Sequence, residues 1–181
     1  MAKEFTVHRS IDIAAPPERI LPLLTDLRAW QKWSPWEGLD PALERTYAGA
    51  ESGVGAVYGW RGNSKAGQGR MEIVEAVPHE SIQLRLERLG SRGAPRTVHF
   101  AFVPVDGDLE LRGTEEGRLS VSERVHALFT DLDARRGEEL ERGLGALRMA
   151  TLAEVDNRRE RDTVIREAEE RARRQAPAPA P

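Results

Sequence analysis

The apolar residues of this chain change their period once, and that change limits the folds open to it. From Phe5 to Glu116 they alternate with polar residues in short runs; after Gly117 they recur every three or four residues. In the first run Phe5, Val7, Ile11 and Ile13 interleave with Thr6, His8, Ser10 and Asp12. Six further runs read as strands: Leu43 to Tyr47, Ala56 to Arg61, Gly69 to Val77, Ser81 to Arg88, Thr97 to Val105 and Leu109 to Glu116. Turn residues separate them, and Asp106-Gly107 carries the tight-hairpin signal. Between the first two runs, Pro16 and Pro17 open a short helix with Ile20, Leu23, Leu24 and Leu27 on one face, since proline fits a first helical turn. A second short helix around Arg28 to Trp33 must end before Pro35. Val125, Leu128, Phe129, Leu132, Leu140, Leu144 and Leu147 predict one long amphipathic helix from Ser122 to at least Met149. Ser120 and Glu123 stand at capping-box spacing before it. One apolar sheet face needs a cover, and only this helix is long enough. The expected class is α+β: a curved antiparallel sheet of about seven strands around a long C-terminal helix, with two short helices after the first strand.

Charge and composition narrow the function classes. A net charge of −3 on 181 residues lacks the basic footprint of a nucleic-acid binder. The chain contains no cysteine, which excludes a disulfide framework, a thiolate metal site and a cysteine nucleophile. No apolar run reaches the ~18 residues of a membrane span, and Met1 to Phe5 do not open like a signal peptide, so a cytoplasmic address is expected.

Residues 153–174 form a different kind of segment. From Leu152 onward seven acids balance seven arginines, with acids four residues before arginines at Glu154 and Arg158, Asp162 and Arg166, and Glu167 and Arg171. Two readings stand: a solvated helical extension, or weak self-association through Val164, Ile165, Ala168 and Ala172. The alternating Ala-Pro tract of residues 175–181 is expected to be disordered. The domain proper is then 1–152.

Within that domain, Ile11-Asp12-Ile13-Ala14-Ala15-Pro16 lead into the first helix and Trp30 to Trp36 close the second. Val54-Gly55-Ala56-Val57-Tyr58-Gly59-Trp60 and Gly67-Gln68-Gly69-Arg70-Met71 form glycine-flanked strands, and Phe129-Thr130-Asp131-Leu132-Asp133 precede Gly137 and Gly143-Leu144. In these stretches the chain resembles the START-like superfamily, also called SRPBCC or Bet v 1-like, of the polyketide cyclase/dehydrase type common in bacteria. The resemblance covers Phe5 to Leu152. It implies a helix-grip fold with a hydrophobic cavity that in different members binds lipids, hormones or polyketides, or catalyses cyclisation.

Strand parity assigns residues to the helix-facing side. That face carries Tyr58, Trp60, Met71, Ile73, Leu84, Leu86, Phe100, Phe102, Leu111, Gly113 and Glu115, and Phe129 and Leu132 face it from the helix; these are the candidate cavity residues. Most aliphatics among them also read as plain core. Tyr58 and Trp60 pair a large apolar body with one polar handle, which suits a cavity wall. Glu115 is the candidate for chemistry, because a carboxylate on an apolar face is costly unless paired. It reads either as a proton-transfer group in a pocket that Gly113 enlarges, or as a strand end in solvent beside Glu116. Trp30, Trp33 and Trp36 read as core packing or a portal wall. His8, His79, His99 and His126 have no metal-ligand spacing, so neither metal nor cofactor is expected. The expected partner is a small apolar or amphipathic molecule, with no nucleic acid and no integral membrane association. The alternatives are a cofactor-independent cyclase, aromatase or dehydratase, and an interaction module using the C-terminal helix.

Overall fold

Alternation of apolar and polar residues becomes a seven-stranded antiparallel sheet in the computed structural model, which describes residues 4–89, 95–105, 108–120, 123–124, 127 and 131–175. Its strands are β1 (Glu4–Ile13), β2 (Glu44–Gly49), β3 (Ala56–Arg61), β4 (Gln68–Val77), β5 (Ser81–Arg88), β6 (Arg96–Val105) and β7 (Asp108–Arg118). They lie in the order β1-β7-β6-β5-β4-β3-β2. The chain therefore crosses from one edge to the other after β1, then returns strand by strand until β7 pairs with β1. A bulge between Ile73 and Glu75 interrupts the β4–β5 register and adds local twist. The Asp106-Gly107 turn and the Ala-Pro tail beyond Gln175 lie outside the described residues.

The crossing is made by α1 (Pro17–Thr25) and a single 3-10 turn, Ala29–Lys32. Ile20, Leu23 and Leu24 are buried, as their spacing predicts. A helix leaves its last carbonyls unsatisfied; here two tryptophans fill that need. Trp30 Nε1 donates to the Leu24 carbonyl at 3.1 Å and Trp33 Nε1 to that of Leu23 at 3.0 Å. Both indoles are thereby fixed against the inner face of the sheet, edge-on to Phe100.

The long helix α2 runs from Leu132 to Gln175, about 66 Å at 1.5 Å per residue. It lies across the sheet against β1, β7, α1 and the 3-10 turn. Its start corrects the sequence reading, which extended the helix back to Ser122. Asp131 is non-helical and caps α2: its Oδ1 accepts from the Ala134 N–H at 2.9 Å. The predicted capping box forms upstream of it, with Ser120 N donating to Glu123 Oε2 at 2.8 Å and Glu123 N to Ser120 Oγ at 3.2 Å. Leu144, Leu147 and Thr151 are buried and Val155 packs on the core. Beyond Asn157 the described side chains are all exposed.

Candidate functional site

The space between the inner sheet face and α2 is aromatic toward the middle of the helix and ionic near its N-terminus. Between them lies a pocket of about 40 Å³ lined by Trp30, Trp33, Pro35 and Trp36 from the crossing segment, Met71, Leu86, Val98, Phe100 and Glu115 from the sheet, and Glu139, Leu140, Gly143 and Leu144 from α2. In such a measure a water needs roughly 10–15 Å³, and pockets for drug-sized ligands run to ~300–1,000 Å³. In this conformation the pocket is closed down around its own side chains.

The aromatic side is a continuous stack. Tyr47 stacks on Tyr58 at 5.4 Å between ring centroids, Tyr58 on Trp60 at 5.8 Å, and Trp60 on Trp36 at 5.9 Å. Period 2 places Tyr58 and Trp60 side by side, and pairing of β2 with β3 brings Tyr47 opposite Tyr58. Trp60 can lie flat only because residue 69 is glycine: a Cβ there would come within 2.4 Å of the indole. Tyr58 donates to Glu37 Oε1 at 3.4 Å, and Glu37 also holds the Arg45 guanidinium. Burial first, then the Glu37 charge, pushes the Tyr58 phenol well above its ordinary range. At the pocket rim Trp36 Nε1 donates to Glu139 Oε1, which also faces Arg88 Nη2 at 3.3 Å. The Arg88 guanidinium sits 5.8 Å from the Trp36 ring centroid.

The ionic side joins four elements. Arg96 of β6 binds Glu115 of β7 at 3.0 Å and Glu123 at 2.6 Å, and Arg136 of α2 binds Glu123 at 2.9 Å. Arg136 also covers the Phe5 ring of β1 at 3.7 Å. Burial, aided by the Arg96 charge, pulls the Arg136 guanidinium below its ordinary value. Burial works to raise Glu123, but its hydrogen bonds from Ser120 and the Arg96 and Arg136 charges outweigh it, and the carboxyl lies below its ordinary value.

Of the residues singled out by parity, Met71, Leu86, Phe100 and Glu115 reach the pocket lining. Tyr58, Trp60, Ile73, Leu84, Phe102 and Leu111 are buried on the same face but pack elsewhere in the core. Glu115 points inward with its side chain 12% exposed, not into solvent at a frayed end, since β7 continues to Arg118. Gly113 does not enlarge the pocket: Leu140 occupies the space above it, with Cδ1 3.0 Å from where a Cβ would stand. Leu132 packs instead with Phe5, Val7 and Leu119 in a separate cluster. Phe129 and His126 lie outside the described residues. Gly137 and Gly143 leave room for protein rather than ligand alone, the first beneath Arg9 and the second against Pro35. Sequence reasoning missed Glu139, which has no signal among the many charges of α2, and Arg96, one residue before the start assigned to its strand. Among the described residues no group of His, Cys, Asp or Glu could hold a metal ion.

Residues 4–160 match the family described as polyketide cyclase / dehydrase and lipid transport. The chain belongs to this family. Solved structures share its fold at low identity. A protein from Rhizobium leguminosarum superposes with a TM-score of 0.63 at 18% identity, covering 84% of this chain and 97% of that one. Norcoclaurine synthase from Thalictrum flavum, in complex with dopamine and hydroxybenzaldehyde, gives 0.62 at 14%, covering 84% and 88%. The Aha1 dimer from Colwellia psychrerythraea gives 0.55 at 16%, covering 80% and 96%. No curated protein matches the chain. The START-like resemblance and the helix-grip fold read from the sequence are thus shown, and family membership supports binding of hydrophobic ligands in general. No described helix is long and apolar enough to cross a membrane.

Proposed function

We propose that this member of the polyketide cyclase / dehydrase and lipid transport family is a cytoplasmic binding protein for a small hydrophobic or amphipathic molecule held between the sheet and α2. The observation that carries the reading is the pocket lining: ten of its residues carry apolar side chains, while its only charged groups, among the described residues, are Glu115 and Glu139. Burial of a ligand's apolar body there would contribute about 25 cal/mol per Å². At about 40 Å³ the pocket must part to admit it. The opening falls to the rim, where Trp36, Glu139 and Arg88 meet through side chains alone. Native mass spectrometry of freshly purified protein tests this: a co-purifying small molecule is expected. An empty protein whose melting temperature ignores a panel of fatty acids, alcohols and aromatic compounds would overturn it.

A cofactor-independent cyclase or dehydratase is the second reading, favoured by one observation, a carboxylate inside an apolar pocket. Glu115 would then handle the proton, although its Oε1 is engaged by Arg96. Loss of turnover on a polyketide-like substrate in Glu115→Gln, with ligand affinity kept, separates the enzyme from the carrier. Self-association through α2 is supported by the exposure of Val164 and Ile165, 64% and 56%. An oligomeric state, read by sedimentation equilibrium, that is unaffected by truncation after Asp156 would exclude it.

A further inference from the structure

We propose that the pocket selects a cationic amphiphile, a protonated amine on a slender apolar body; this rests on the ligand-binding reading above. The donors and acceptors of the lining decide which head group fits. Three indole N–H groups border the pocket and all are taken: Trp30 and Trp33 by the carbonyls of Leu24 and Leu23, and Trp36 by Glu139. What the tryptophans offer a ligand is therefore their ring surface. The other polar side-chain atoms of the lining are carboxylate oxygens, and the arginines beside it, Arg88 at the rim and Arg96 next to Glu115, are ion-paired with those carboxylates. Glu115 and Glu139 each meet their arginine through Oε1. Among the described residues neither Oε2 has a hydrogen-bond partner.

An anionic head group would meet carboxylate acceptors, aromatic faces and, among the described residues, indole and guanidinium donors already engaged by the protein, which desolvates it with little return. A neutral hydroxyl could donate one hydrogen bond. An ammonium could donate up to three, gains from the opposite charge, and is attracted to the face of Trp or Phe. The protein already displays this recognition at the rim: the Arg88 guanidinium lies near the Trp36 ring and against Glu139. A ligand ammonium presented from inside would complete the same pairing from the opposite side. The slender body follows from Met71, Leu86, Val98, Leu140 and Leu144, which line a narrow space.

The test is a head-group series on one chain length: n-octylamine, n-octanol and octanoate at pH 7, titrated against the intact protein by tryptophan fluorescence and calorimetry. Octylamine is expected to bind about tenfold more tightly than octanol, and octanoate more weakly than both. Glu139→Gln and Glu115→Gln should each reduce the amine's advantage several-fold while leaving octanol binding in place. Equal binding of all three, or preference for octanoate, overturns charge selection and leaves the hydrophobic-carrier reading standing. Binding of octanol alone, or of none of the series, also overturns it. The mass-spectrometric experiment judges the carrier reading separately. The wild-type series decides the matter even where a glutamine variant folds poorly.

Discussion

The two sides of the space beneath α2 are filled by different physics. Around Trp30, Trp33, Trp36, Tyr58 and Trp60 it is filled by shape: rings stack or meet edge-on, and the indole N–H groups turn to backbone or rim acceptors. Around Arg96, Glu115, Glu123 and Arg136 it is filled by charge, in a chain where each member depends on the next. An apolar side can lose one member and collapse partly into the gap, at a cost that scales with the volume left. A partly buried ionic side that loses one member leaves an opposite charge with nothing to answer it. Glu115 belongs to both, as pocket wall and as ion-pair partner, and is the point at which ligand and network would communicate.

The strongest way to break this contrast is Trp30→Ala. The indole is 2% exposed, so a loss of about 3–5 kcal/mol in urea unfolding is expected, with the pocket enlarged and apolar probes binding more readily in the folded fraction. Next comes Glu123→Ala, which leaves Arg96 and Arg136 facing each other. Because the Glu123 side chain is 23% exposed, solvent tempers the penalty to about 2–3 kcal/mol. The same residue gives the ionic side a pH signature. Its folded-state value lies below the ordinary 4.5, so the unfolded chain takes up the proton first on acidification. The contribution is complete above about pH 4.5 and is lost as pH falls through the folded value. Melting temperatures followed downward from pH 6 should fall less steeply in Glu123→Gln than in the wild type. Gly113→Ala sharpens the comparison at the junction of the two sides. The added methyl meets the flexible tip of Leu140 at 3.0 Å, and a cost of about 1 kcal/mol by chemical denaturation is expected. The smallest effect belongs to truncation after Asp156. Neither side uses residues past Val155, so stability should change by less than about 0.5 kcal/mol while the helical circular dichroism signal drops.

Much of the fold was legible because strand parity fixes which way each side chain points. The inner-face residues of β3 to β6 were all placed correctly, and Glu115 fell on the pocket side of β7 for the same reason. Its partner was hidden by a single residue: β6 begins at Arg96 rather than Thr97, and Arg96 shares the inward parity of Val98 and Phe100. Gly113 misled in another way. A missing side chain reads the same whether a ligand or a neighbour fills the room, and Leu140, far away in sequence, fills it. Periodicity also could not locate the start of α2, since the cap at Asp131 leaves no trace in the spacing of apolar residues along the sequence.

The amino-acid sequence by itself determined the order of the strands and the face of the sheet that the apolar residues of each inner strand occupy. These follow from local geometry, two residues per strand repeat and 3.6 per helical turn. Only the tertiary structure decided that three tryptophans, two carboxylates and a stripe of α2 close on a space of about 40 Å³. Cavity volume is a small difference between the room the backbone encloses and the side chains that fill it. No local period encodes that difference, because it is set by contacts between residues as distant in sequence as Trp36 and Glu139.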